Sequence, residues 1–247
     1  ENFDTIEPHV PRSVSELLTT VHERCTSDVP PPFLALDQEG GLIERLPASL
    51  FPTSVSPLAV ALKLQDIESD EFCAETYDLI AYYLSLMGFN MNFAPVLDLN
   101  TEKENPVIGP RSFGDNPNAV WRFARVVQER LDVRKIVGVG KHFPGHGSGT
   151  VDSHEKLPKL AYTETECSLF KKAIDEGIPS IMVAHGYYAE LQGEPQEGTT
   201  LQPSSLSKAV VTDLLREKLG FNGMIVSDDM CMGAVTDYAD PVEAAIQ

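Results

Sequence analysis

Residues 141–154 read KHFPGHGSGTVDSH and gather three of the chain's six histidines with a lysine, an aspartate, a proline and three glycines. A stretch this polar and glycine-rich is neither a core strand nor a helix, so it reads as a loop. An imidazole titrates near neutral pH, so such a loop can give and take protons. A zinc site built from His142, His146, Asp152 and His154 is the competing reading. HxxxH spacing serves a metal best on a helix, and Pro144 with the glycines opposes one. A metal is therefore not expected on this loop.

Other polar residues close apolar runs. Asp37 follows FLAL, Asp98 follows FAPVL, Lys141 and His142 follow IVGVG, His185 follows IMVA, and Asp228 and Asp229 follow MIVS. Each alone is open to reading as a cap or a turn residue. Five such runs together mark the carboxyl ends of parallel strands, where a (β/α)8 barrel builds its active site. A doubly wound sheet also binds ligands there. It usually carries a glycine-rich phosphate turn, and no GxGxxG or GxxxxGK[ST] occurs here.

The elements that must position these residues alternate along the chain. Candidate strands lie at 33–37, 89–99, 136–143, 178–186 and 223–230, nearly continuous apolar runs suited to a sheet covered on both faces. Helical patterns lie between them. Ser13 with Glu16, and Thr163 with Glu166, form capping boxes. Residues 68–87 have helical spacing and end before Gly88, 116–131 follow the cap residue Asn116, and 205–219 stop at Gly220. Asp240 with Pro241 opens a last helix. This alternation predicts an α/β fold with a parallel sheet, and the absence of linkers and repeats predicts one domain over 1–247.

Composition narrows the partners. The 247 residues carry a net charge of −18, which repels nucleic acid and anionic membrane surfaces and aids solubility. The four cysteines, Cys25, Cys73, Cys167 and Cys231, are widely spaced and read as buried free thiols in a reducing compartment. No apolar window is long enough for a membrane span. With no basic n-region or apolar h-region in ENFDTIEPHV, the cytoplasm is the expected location. The chain opens at Glu1, so removal or omission of an upstream segment is also expected.

The motifs LALDQEGG (34–41), NFAPVLDLN (92–100), NPVIGPRSFG (105–114), KHFPGHG with VDSH (141–154), MVAHGYY (182–188) and LREKLGFNGMIVSDDM (215–230) resemble glycoside hydrolase family 3, in its bacterial β-N-acetylglucosaminidase branch. The resemblance implies a retaining β-N-acetylglucosaminidase on a (β/α)8 barrel, acting on muropeptides or chitin-type oligosaccharides with no metal and no organic cofactor. It also allows transfer to phosphate instead of water. Asp228 matches the family nucleophile. On a strand Asp229 would face the other way, and the alternative for Asp228 is a helix cap. His154 would be the acid/base, oriented by Asp152. Along an extended segment the two side chains fall on one side, within hydrogen-bond reach. Asp37, Arg111, Lys141 and His142 would contact sugar hydroxyls, with Asp98 and His185 as weaker candidates. Met232 and Phe113 would line an apolar wall or belong to the core. The glycines would give the loop backbone freedom.

Two departures stand out. Leu42 replaces the arginine that usually follows DQEGG, so a carboxylate contact is lost or supplied elsewhere. Only five of eight barrel strands are visible, so the chain is expected to be the central part of a barrel, truncated at both ends. Its open edges would leave room for pairing with a second copy. The competing readings are an inactive or weakly active sugar-binding fragment, and a β-glucosidase of the same family.

Overall fold

Each of the five apolar runs contributes a strand: β1 (Ala35–Leu36), β2 (Met91–Asn92), β3 (Val137–Phe143), β4 (Ser180–Val183) and β5 (Met224–Ser227). The computed structural model of the protein describes residues 16–17, 20–21, 23, 32–47, 51, 54–63, 69–195 and 197–246. The strands are all parallel and lie in the order β1-β2-β3-β4-β5. The result is a curled five-stranded sheet with helices on its outer face, an incomplete (β/α) barrel in which β1 and β5 are the edges.

β2 is much shorter than the apolar run 89–99 suggested. Pro95 lacks an N–H and cannot continue a ladder. Beyond it the chain still follows β3, with the Lys141 amide donating to the Pro95 carbonyl at 3.1 Å and the Leu97 amide donating to the Lys141 carbonyl at 2.6 Å. β3 shifts register against β4 between Gly140 and Phe143. Such an irregularity re-aims side chains, and Lys141 and His142 sit within it.

The helices include α1 (Pro57–Lys63), α2 (Ser69–Met87), α3 (Pro117–Val133), α4 (Glu164–Asp175), α5 (Ala209–Lys218), α6 (Gly233–Thr236) and α7 (Pro241–Ala244), and a further short helix spans Ala189–Gln192. Asn116 caps α3, accepting from the amides of Asn118 and Ala119 at 2.9 and 3.2 Å, with Pro117 in the first turn. Asp240 caps α7 by accepting from the Val242 amide at 2.9 Å. α5 lies within the expected 205–219 but is wound as a π-helix, turning Val210, Leu214 and Leu215 inward. The capping box at Ser13 lies outside the described residues.

Two apolar layers flank the sheet. Met91, Val139 and Met182 form the inner one, with Ala35, Phe93, Val137, Met224 and Val226 partly buried around them. The outer layer joins the sheet to α2, α3 and α4 through residues such as Ile80, Leu84, Phe123, Val127, Phe170 and Ala173. Strand alternation sends successive side chains to the two layers. Phe113 belongs to the outer core, packing on Tyr77 and Phe123 at ring distances of 6.2 and 5.5 Å. Cys73 and Cys167 are buried free thiols as expected, and Cys25 lies outside the described residues. Cys231 corrects the expectation: it is exposed, because it sits in the turn after β5 with its amide donating to Asp229 at 2.8 Å. Among the described residues no helix is long and apolar enough to cross a membrane.

Phe170 on α4 meets Phe143 of β3 edge-on at 5.2 Å, and both are fully buried. Phe170→Ala should lower unfolding stability by about 3–5 kcal/mol in urea titrations. A loss below about 1 kcal/mol would contradict this packing.

Candidate active site

Asp37, Lys141, His142, Asp98, His185 and Asp228 all stand at or just beyond strand carboxyl ends, so the sheet brings them to one rim. Partners gather four of them, Asp37, Lys141, His142 and Asp98, into two groups, each built around a buried carboxylate.

The first group centres on Glu39, which is 1% exposed. The Arg111 guanidinium donates to its carboxylate from Nε at 2.9 Å and from Nη2 at 2.7 Å. Lys141 Nζ lies 2.6 Å from Glu39 Oε1 and donates to Asp37 Oδ1 at 2.6 Å. Burial pushes the Glu39 carboxyl up, but Lys141 and Arg111 outweigh it and hold the pKa at about 2. Burial disfavours the Lys141 ammonium, yet Glu39 and Asp37 keep its pKa above the ordinary value. With Arg111 Nη1 also donating to the Val107 carbonyl at 3.0 Å, most cationic N–H groups are committed to protein acceptors. Leu42 lies exposed in the turn that follows Glu39, and Arg111 and Lys141 are the cations that neutralise Glu39.

The second group centres on Asp98, which is fully buried. It accepts from the His142 amide at 3.1 Å and the His146 amide at 2.7 Å, and its Oδ2 lies 2.6 Å from His142 Nδ1. Burial raises its pKa, but His142 and the His146 amide lower it further, so it stays below the ordinary value. The contact assigns Nδ1–H of His142 as the donor to Asp98, leaving Nε2 as the acceptor for Arg111 Nη2 at 3.3 Å. His146 is also buried, and its ring nitrogens have no hydrogen-bond partner among the described residues. Burial and then His142 depress its pKa to about 4, so it is neutral at pH 7.

Asp152 and His154 are paired, but through a turn instead of the expected extended segment. Asp152 Oδ1 accepts from the His154 amide at 2.9 Å and lies 2.7 Å from His154 Nδ1. The Asp152 carbonyl closes the turn by accepting from the Glu155 and Lys156 amides at 3.0 and 3.1 Å. An aspartate that bonds the backbone two residues on is the standard way to make such a turn. His154 is largely exposed. Its loop is held against the chain just after Asp228. The Gly233 amide donates to the His154 carbonyl at 3.0 Å and the Ala234 amide to the Ser153 carbonyl at 3.2 Å.

Asp228 is half-buried while Asp229 is exposed. Burial works to raise the Asp228 pKa, but His142, the Asp229 amide, His185 and Lys141 together hold it below the ordinary value. The group is therefore an anion at neutral pH, as a carboxylate nucleophile must be. His185 is buried, with Nε2 3.0 Å from the Asp229 carbonyl and Nδ1 2.7 Å from Ser205 Oγ. Its contacts tie down the turn that follows β5. Met232 is buried beside that turn. Among the described residues no group of three or more His, Cys, Asp or Glu is arranged to hold a metal ion.

Sequence reasoning passed over Glu39 and Glu166. Glu39 stood inside DQEGG, and its position two residues after Asp37 was the available signal. Glu166 opens α4. Thr163 accepts from its amide at 3.2 Å, as a capping box requires. Its carboxylate does not return to the Thr163 amide. It turns towards the loop, where Oε1 accepts from Leu99 at 3.2 Å and Gly147 at 3.1 Å. Burial and the nearby Asp98 push its pKa to about 7.

The carboxyl rim of a parallel sheet, which here carries carboxylates, imidazoles and cations, is where proteins of the (β/α) barrel class build their sites. The chain belongs to glycosyl hydrolase family 3: the family's N-terminal domain matches residues 7–247. Beta-hexosaminidase A of Pseudoalteromonas piscicida is 32% identical over 95% of this chain and 41% of its own length. The beta-hexosaminidase of Nitrosomonas eutropha is 33% identical over 96% of the chain and 66% of its own. The chain thus spans less than two thirds of these curated relatives. Among solved structures, the family 3 beta-N-acetylglucosaminidase from Paenibacillus sp. str. FPU-7 superposes with a TM-score of 0.82 at 32% identity, covering 96% of this chain and 44% of that one. NagZ from Neisseria gonorrhoeae, in complex with N-trifluoroacetyl-D-glucosamine, gives 0.81 at 28% identity, with 96% and 67% covered.

Two stability outcomes follow from the buried carboxylates. Glu39→Ala leaves two buried cations without their shared anion and should cost about 3–5 kcal/mol in urea unfolding; a cost below about 1 kcal/mol would contradict the cluster. Glu166 has a folded pKa of about 7, above its ordinary 4.5. Its favourable contribution is complete below about pH 4.5 and is lost as pH rises through about 7. Glu166→Gln removes that dependence. Relative to the parent, it should therefore gain roughly 3 kcal/mol between about pH 4.5 and about pH 8. A difference that stays flat, or that moves in the parent's favour, would refute the shift.

Proposed function

We propose that the protein is a retaining β-N-acetylglucosaminidase that removes terminal β-linked N-acetylglucosamine from muropeptides or chitin-type oligosaccharides. The observation that carries this reading is the docking of the Asp152–His154 turn on the residues just after Asp228. It gives one rim a carboxylate anion and an imidazole able to exchange a proton, the two groups a double displacement needs. The names of the relatives support the sugar, and the family supports the bond that is cut.

In this reading Asp228 attacks the anomeric carbon and His154 donates a proton to the departing oxygen. A glycosyl ester on Asp228 results. His154 then takes a proton from water, which attacks the ester and frees Asp228. Asp152 accepts the Nδ1–H of His154, which fixes the tautomer and stabilises the imidazolium. Asp37, Lys141 and Arg111 bind sugar hydroxyls through the polar atoms not committed to protein partners, and His142 binds one by exchanging its 3.3 Å contact with Arg111 Nη2 for a hydroxyl. Asp98 orients His142, and His185 holds the turn that presents Asp228.

The test is hydrolysis of an aryl β-N-acetylglucosaminide. Asp228→Ala should lower kcat/KM by about 10,000-fold or more, and His154→Ala by about 100-fold or more where the leaving group needs a proton. Added phosphate in place of water as acceptor distinguishes hydrolysis from transfer. Turnover of a β-glucoside without turnover of the N-acetyl sugar would overturn the proposed substrate.

A further inference from the structure

We infer that Glu166 is a positioning residue: through the amides of Leu99 and Gly147 it fixes the base of the loop that carries Asp152 and His154. The inference rests on the acid/base role proposed for His154.

Glu166 lies on a helix that contributes no other side chain to the rim, and it is 2% exposed. One oxygen receives two amides from segments far apart in sequence, the exit of β2 and the loop after β3. The other lies 3.4 Å from Thr163 Oγ1. This carboxylate is thus the point where α4, the β2 exit and the loop meet. Two glycines are shaped by it. A Cβ on Gly145, where φ is +134°, would sit 2.7 Å from Glu166 Cδ, and a Cβ on Gly147 would overlap the Leu99 carbonyl and Glu166 Oε1. The loop's glycines therefore serve close approach to this carboxylate as well as backbone freedom.

Beyond Gly147 the loop runs to the Asp152 turn, which is held at its far side by the amides of Gly233 and Ala234. Glu166 clamps the near side and those amides clamp the far side. A helix cap alone would bond the Thr163 amide and need no buried carboxylate beside Asp98. Holding the group there despite a pKa raised to about 7 fits a role in placing the loop.

The experiment compares Glu166→Ala, Glu166→Gln and His154→Ala with the parent by two readouts. The first is amide hydrogen exchange over residues 145–155, with β4 as internal control. Glu166→Ala should speed exchange in the loop by about tenfold or more and leave β4 unchanged. Glu166→Gln keeps an acceptor for both amides and should restore most of the protection. The second is kcat/KM on two N-acetylglucosaminides, one with dinitrophenol and one with a simple alcohol as leaving group. The alcohol needs protonation as it departs and the phenol does not. Glu166→Ala should lose about tenfold or more on the alkyl substrate and about threefold or less on the phenyl one, in the pattern of His154→Ala.

Unchanged loop exchange in Glu166→Ala, or faster exchange in loop and β4 alike, would overturn the positioning role. Equal losses on both substrates would overturn it as well. If His154→Ala fails to separate the two substrates, the acid/base reading falls, and loop exchange alone decides what Glu166 does.

Discussion

Two buried carboxylates hold the polar loop in place. Asp98 takes the amides of His142 and His146, and Glu166 takes those of Leu99 and Gly147. A loop of this composition has few apolar side chains to bury, so its backbone amides must be satisfied by something else. Charged acceptors make stronger hydrogen bonds than neutral ones, and a buried anion left without donors is costly. The loop and the two carboxylates therefore satisfy each other. The unequal outcome, with Asp98 below its ordinary pKa and Glu166 raised to about 7, follows from their partners. Asp98 has an imidazole beside it and Glu166 has only amides and a hydroxyl.

The cationic part of the rim obeys the same rule with the signs reversed. Lys141 and Arg111 are almost buried in a chain of net charge −18, and Glu39 is the anion they share. Breaking such a group is far more costly than its net contribution to stability. In the proposed function its value is placement: it presents donors in fixed directions at the rim, with entropy already lost before a sugar arrives. The cluster itself is balanced, with two cations against Glu39 and Asp37, so the charge excess of the chain lies elsewhere.

The strands were legible because buried parallel strands are written as continuous apolar runs, and five of five such runs hold one. Their lengths were not legible. Pro95 cuts β2 short, and the register shift in β3 depends on a neighbour that sequence pattern does not show. Asp152 and His154 were legible as a pair, although an aspartate-closed turn joins them instead of strand alternation. Glu39 and Glu166 were hidden for a common reason. Their partners lie 72 and 67 residues away, so nothing in the local pattern distinguishes them from a strand-end glutamate and a helix-capping one.

In the proposed function Asp228 forms a covalent bond to the sugar. Incubation with a slow fluorinated glycosyl fluoride of N-acetylglucosamine, followed by peptide mass spectrometry, tests it most directly. A single added sugar on the peptide containing Asp228 is expected, formed more slowly when His142 is replaced. A sugar found on another carboxylate, or steady turnover of the reagent with no covalent adduct, would contradict it.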